Sequence, residues 1–238
     1  MTIGPMLRWR RDEVRALGGR VAAPALISAA ALFAVVLFAP GIRWLPMFGL
    51  AIAPGVAAAS LAPLWRRNLR RTPLFTYGMV IAHLGIAVSL AGMAADSAFV
   101  QETLVAARPG QTIAVGPFNL RFVGAEPVVG PNWTAIEAVL EARRGEGAPF
   151  MLRPQARLFD SPPTPTSETA IQTLWDGQLY VAIGDGDDQG RWQLRLWWKP
   201  FVTLIWAGGA MVAFGGFLSL IGRLWRERRF RREEEVPA

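Results

Sequence analysis

LFTYGMVIAHLGIAVSLAGMAA, residues 74–95, carries no charged side chain and holds the only histidine of the chain, His83. A helix of that length rises about 33 Å, enough to cross a hydrocarbon core about 30 Å thick. An ionisable group near the middle of such a helix costs at least ~2.5 kcal/mol unless it is paired or ligated. His83 therefore has either a buried hydrogen-bond partner or a metal. Gly78, Ala82, Gly85, Ser89 and Gly92 recur along the same helix at spacings of three and four. A stripe of small residues admits either the backbone of a partner helix or a flat macrocycle.

Three more apolar runs frame this one. Residues 21–38 are rich in alanine, 45–65 contain Pro54-Gly55, and 201–221 read FVTLIWAGGAMVAFGGFLSLI. Proline inside a membrane helix is tolerated where neighbours satisfy the freed carbonyl, so a kink is expected at Pro54. Trp44 and Trp65 bracket the second span like interface anchors. With 52% hydrophobic and 18% charged residues, the chain falls in the membrane class. It has no cysteine, which excludes disulfides and thiolate metal sites.

The net charge of +7 clusters beside the spans. Residues 1–20 hold five arginines, RRNLRR at 66–71 holds four, and the tail 222–238 holds six, against one, Arg43, in the second connection. Four spans put the three basic segments on one side. Charge and parity agree on cytoplasmic termini and an extracytoplasmic segment 96–200. The same distribution argues against a nucleic-acid stripe.

That segment reads as β. RWQLRLWWK alternates, with Trp192, Leu194, Leu196 and Trp198 on one face, and QLYVAIG precedes it across the hairpin loop GDGDDQG. FNLRFVGAEPV follows the Gly116-Pro117 turn, FMLRPQARLF is one strand with Pro154 at an edge, and TAIEAVLEARR is a strand by its neighbours. SPPTPTSET, residues 161–169, is expected to be an irregular surface loop. About six strands suggest a small sandwich or barrel on the bilayer surface. Asp185, Asp187 and Asp188 lack the bidentate acid of a calcium loop, so GDGDDQG reads as a turn. Trp197, Trp198 and Lys199 are placed as interface anchors. No phosphate loop or Ser/His/Asp triad can be assembled.

The order GPMLRWRRD, GMVIAHLGIAV, PPTPTSETAI, LYVAIG and LRLWWKPFV, followed by IWAGG and a glycine-rich span, resembles the C-terminal part of the CcmF family. This family is the haem lyase component of the bacterial cytochrome c maturation system. The resemblance covers nearly the whole chain and roughly the last third of the family's length. It implies a protein of the bacterial inner membrane with a periplasmic domain. It implies haem received from the chaperone CcmE, attached to the cysteines of an apocytochrome c CXXCH motif, with CcmH and CcmI as further partners. It also implies a b-type haem held by two histidines on different spans, with His83 matching the C-terminal one through its AHLG context; Gly78, Ala82 and Gly85 are assigned to close packing at that cofactor. The family's WWD segment, its flanking histidines and the partner of His83 are absent here; WWK at 197–199 is not that motif. The chain is therefore expected to be incomplete as a lyase, with a second polypeptide carrying the WWD portion, or else to be a non-catalytic membrane scaffold. A transporter fragment has only the broken second span in its favour.

Overall fold

The computed structural model describes residues 14–65 and 67–234. Trp9, Arg8, Arg10 and Arg11 of the basic arm and Arg66 lie outside them. The chain divides into two compact units, residues 1–98 with 204–238, and Phe99–Thr203.

The first unit is helical: α1 (Val14–Phe38), α2 (Trp44–Leu61), α3 (Leu74–Phe99) and α4 (Thr203–Glu234). Two short 3₁₀ turns, Ala62–Leu64 and Leu69–Arg71, lie between α2 and α3. Each helix contains a stretch long and apolar enough to cross a membrane: Val21–Phe38, Trp44–Leu64, Leu74–Phe99 and Thr203–Arg228. Helices adjacent in sequence pack together through small residues. A Cβ built on Gly55 of α2 would lie 2.8 Å from the Pro24 carbonyl oxygen of α1. One built on Gly49 would lie 2.7 Å from Ala94 Cβ of α3. The outward faces of α1 and α4 leave Leu26, Phe33, Phe38, Trp206, Phe214 and Phe217 exposed. Apolar side chains with no protein partner on helices of this length are what lipid covers.

The second unit is a β sandwich. One sheet has the order β1 (Gln101–Ala107), β10 (Trp192–Pro200), β9 (Gly177–Gly186), β8 (Ala170–Leu174). The other runs β2 (Thr112–Val115), β3 (Phe118–Val129), β4 (Trp133–Arg144), β6 (Gln155–Asp160), β7 (Pro163–Glu168), with β5 (Phe150–Leu152) also on β4. Every pairing is antiparallel. Period-two alternation sends Phe118, Leu120 and Phe122 of β3, Leu179 and Val181 of β9, and Leu194 and Leu196 of β10 into one core. The strand reading of TAIEAVLEARR holds as β4, because Ala138, Leu140 and Ala142 face that core.

Three expectations are corrected. SPPTPTSET is not irregular, since Pro163–Glu168 pairs with β6 as an edge strand. Pro163 and Pro165 are two residues apart, so both occupy positions where a missing N–H faces away from β6. FMLRPQARLF is not one strand: it breaks at Arg153-Pro154 into β5 and β6, and Pro154 is fully buried rather than at an edge. Trp198 is not an interface anchor. It is 5% exposed, its ring lies 5.1 Å from that of Phe118, and Gly116 (φ +54°) and Gly177 leave room for it. Lys199 lies over the Tyr180 ring at 4.9 Å, and Arg195 over Trp197 at 4.7 Å.

Five arginines of the sandwich form ion pairs with acids: Arg144, Arg153, Arg157, Arg191 and Arg195. Arg144 donates to both oxygens of Asp176, at 3.0 and 2.6 Å, and its guanidinium lies over Phe118 and Trp198. This fork holds the Asp176 carboxyl below the usual carboxylate range. Hydrogen bonds from Gln155, then Arg153, do the same for Glu137. A depressed folded-state value means stability present above the ordinary value, near 4, and lost as pH falls through the folded one. Asp176→Asn should therefore lower unfolding stability by about 2 kcal/mol at neutral pH. That difference should shrink as pH drops below about 4. Chemical denaturation followed by near-ultraviolet circular dichroism checks both.

Candidate functional site

At 100° per residue, α3 presents distinct faces. Gly78, Ala82, Gly85, Ser89 and Gly92 lie on one, against α4. A Cβ on Gly78 would approach Ser219 N to 2.4 Å, one on Gly85 would approach Gly208 O to 2.6 Å, and one on Gly92 would approach Ile205 N to 2.8 Å. Helix α4 answers with its own glycines. A Cβ on Gly208 would lie 2.5 Å from Gly85 O, and one on Gly215 would lie 2.4 Å from Ala82 N. Ser89 Oγ donates to Ile205 O and Ser219 Oγ to Phe75 O, both at 3.2 Å. The small residues thus bring two backbones together, and hydroxyls satisfy carbonyls across the seam. Gly78, Ala82 and Gly85 are accordingly occupied by α4, and no macrocycle has access to them in this packing.

His83 lies elsewhere. Leu90 and Ala94, which meet Gly49 of α2, share its side of the helix by spacings of seven and eleven. His83 is half-buried, and its Nδ1 is 2.8 Å from the Met79 carbonyl oxygen, one turn back. A carbonyl oxygen only accepts, so Nδ1 carries the proton and donates. In the neutral ring the lone pair is then on Nε2. This is how a metal-ligating imidazole is commonly held: a backbone carbonyl fixes the tautomer and ring orientation, and the other nitrogen faces the metal. Both readings left open for His83 bear on this geometry, since the backbone partner occupies one nitrogen and leaves the other.

The site supplies one nitrogen donor. No other histidine and no cysteine exists in the chain, and no group of three or more metal-capable side chains occurs among the described residues. GDGDDQG is a turn only in its second half: Asp185 and Gly186 still belong to β9, and the turn is closed by Gly190 N–H donating to Asp187 O at 3.1 Å. Asp187 accepts from the backbone N–H groups of Gln189 and Arg191 and from the Arg191 side chain, and these bonds hold its carboxyl below the usual range. Sequence reading passed over Asp96, near the end of α3, where Oδ1 is buried with no hydrogen-bond partner. Its signal was an acid inside an otherwise apolar 26-residue helix. It lies one turn beyond Gly92, on the glycine face.

Residues 98–200 match the family model described as the CcmF C-terminal beta-sandwich. The chain is 33% identical over 230 residues to the cytochrome c-type biogenesis protein CcmF of Escherichia coli, covering 95% of this chain and 35% of that protein. It is 32% identical over 233 residues to ccl1 of Rhodobacter capsulatus, covering 95% and 36%. With CycK of Rhizobium meliloti it shares 31% over 237 residues, covering 94% and 35%. A solved structure titled cytochrome c heme lyase CcmF superposes with a TM-score of 0.70 at 23% identity, over 92% of this chain and 37% of that one. The chain spans about a third of the length of these relatives. With its sandwich, its four apolar helices and nearly its whole length aligned to these proteins, the chain belongs to the CcmF family of membrane proteins of cytochrome c biogenesis, and corresponds to that family's C-terminal part.

Proposed function

We propose that this chain is the C-terminal portion of a membrane haem lyase, and that His83 is one axial ligand of a b-type haem within the bilayer. The observation that carries the reading is the commitment of Nδ1 to the Met79 carbonyl, which leaves Nε2 as the donor on a charge-free span. A neutral imidazole in apolar surroundings suits haem iron. The donor set fits half of a bis-histidine site, and a second imidazole must come from another polypeptide segment. When bound, such a haem supplies one-electron redox chemistry.

The chain's own contributions are positional. Met79 O holds the His83 ring and its tautomer. Gly78, Ala82 and Gly85 fix α3 on α4 by close packing, so the His83 side of α3 has a fixed rotation. The apolar span excludes water and charge from the imidazole. In this reading the basic segments are cytoplasmic and the sandwich lies on the periplasmic face of the bacterial inner membrane, attached to both α3 and α4. There it would face the haem chaperone CcmE, apocytochrome c, and the subunits CcmH and CcmI. Attachment joins the haem vinyl groups to the two cysteine thiols of the apocytochrome, and this chain contributes no thiol.

A second reading, a non-catalytic scaffold of the maturation complex, has one observation in its favour. Arg144, Arg153, Arg157, Arg191 and Arg195 of the sandwich are each paired with an acid, as structural ion pairs would be. Purification from membranes, alone and together with the polypeptide carrying the WWD segment, separates the two. A reduced b-type absorption spectrum only in the joint sample supports the lyase reading. Stable association without haem supports the scaffold.

A further inference from the structure

Five tryptophans lie in the sandwich unit, and Trp175 is the exposed one. It is 87% accessible, whereas Trp198 is buried and Trp133, Trp192 and Trp197 are partly covered. Trp175 and Asp176 form the two-residue turn between β8 and β9. That turn is tied to the point where the chain leaves the sandwich. Phe201 N–H donates to Asp176 O at 2.7 Å, and Thr203 Oγ1 donates to Trp175 O at 3.3 Å. The Arg144 fork on the Asp176 carboxylate holds the turn from the other side. Phe201 adopts φ +61°, a left-handed conformation unfavourable for a residue with a Cβ, and its side chain is 44% exposed. Thr203 is the first residue of α4 and of the apolar stretch Thr203–Arg228.

A residue hydrogen-bonded to the first residue of a membrane span lies at the boundary between hydrocarbon and water. An indole is favoured there, with its ring among the upper acyl chains and its N–H among the headgroups. We infer that Trp175, with Phe201 beside it, inserts into the lipid interface. The sandwich then has a third attachment to the bilayer, added to its covalent joins to α3 and α4. The bonding supports this over a protein partner: the turn is fixed to the start of a span, so lipid lies within reach of the indole. The inference rests on α4 crossing the membrane and is independent of haem.

Fluorotryptophan incorporated into the full chain in lipid nanodiscs tests it. The fluorine resonance that disappears in Trp175→Phe identifies the residue. This substitution is at an exposed position and leaves the backbone bonds in place. The expected result is loss of that resonance on adding lipid with a nitroxide near its headgroup, and its retention with a water-soluble gadolinium chelate. The core residue Trp198 should respond to neither. The reverse pattern, loss with the chelate and retention with the nitroxide lipid, overturns the inference and marks Trp175 as a water-facing contact for another protein.

Discussion

His83→Ala is expected to abolish b-type haem in the assembled complex while the sandwich stays folded. The neighbouring carbonyl of Met79 cannot substitute, because its geometry serves the imidazole and it is a poor ligand to haem iron. Loss of an outer-shell partner typically lowers metal affinity about 10–100-fold. Loss of the ligand itself should fall at or beyond the upper end of that range. The sandwich should not change, because its core of Phe118, Phe122, Leu140, Leu179 and Leu194 lies wholly within residues 99–203. The pyridine haemochrome content of the purified complex, with the near-ultraviolet circular dichroism of the same sample, reads both. Unchanged haem content would remove His83 from the site.

The second large effect concerns the seam between α3 and α4. Gly208→Ala should destabilise the helical unit and Gly209→Ala should not, although the two are adjacent. A Cβ on Gly208 would meet the Gly85 carbonyl at 2.5 Å and Ser89 N at 2.5 Å, both backbone atoms that move only if a helix moves. A Cβ on Gly209 meets nothing within 4 Å. Overpacking of this kind costs typically 1–3 kcal/mol, occasionally more. On a helix surface, Gly to Ala instead gains up to about 1 kcal/mol from propensity. Gly215→Ala and Gly216→Ala should repeat the contrast, since Gly215 faces Ala82 N at 2.4 Å and Gly216 faces open space. Thermal unfolding of the four variants in one detergent measures the difference. In the proposed site, Gly208→Ala and Gly215→Ala should also loosen haem, because α3 would rotate or shift.

The four helices were legible because each span is a near-uninterrupted apolar run at least 18 residues long, a signal no soluble element imitates. Strands β3, β9 and β10 were legible because one face is buried and one is not, which writes a period of two into Phe118-Leu120-Phe122 and Leu194-Leu196-Trp198. The same pattern could not say that Trp198 is core and not interface, since an indole satisfies either. The edge strand β7 was missed because two prolines in six residues normally exclude a strand, and only its position at a sheet edge makes them harmless. For the site, His83 stood out through its cost in hydrocarbon. The tautomer did not, because it depends on how closely the ring approaches Met79 O. The stripe of small residues was visible, but its occupant was undecided. The matching glycines at 208, 215 and 222 lie more than a hundred residues away, and only their contacts identify them as its partner.

Because His83 is the only histidine, this chain offers a direct measurement. The chain is produced with 15N-labelled histidine, combined with the proposed unlabelled polypeptide carrying the WWD segment, and examined by pulsed electron paramagnetic resonance of the oxidised low-spin haem. The expected spectrum has one 15N hyperfine coupling of iron-ligand size, assignable to His83 Nε2, alongside unlabelled nitrogen from the second ligand. A spectrum with unlabelled nitrogen couplings only, from a sample containing haem and both chains, would contradict that assignment.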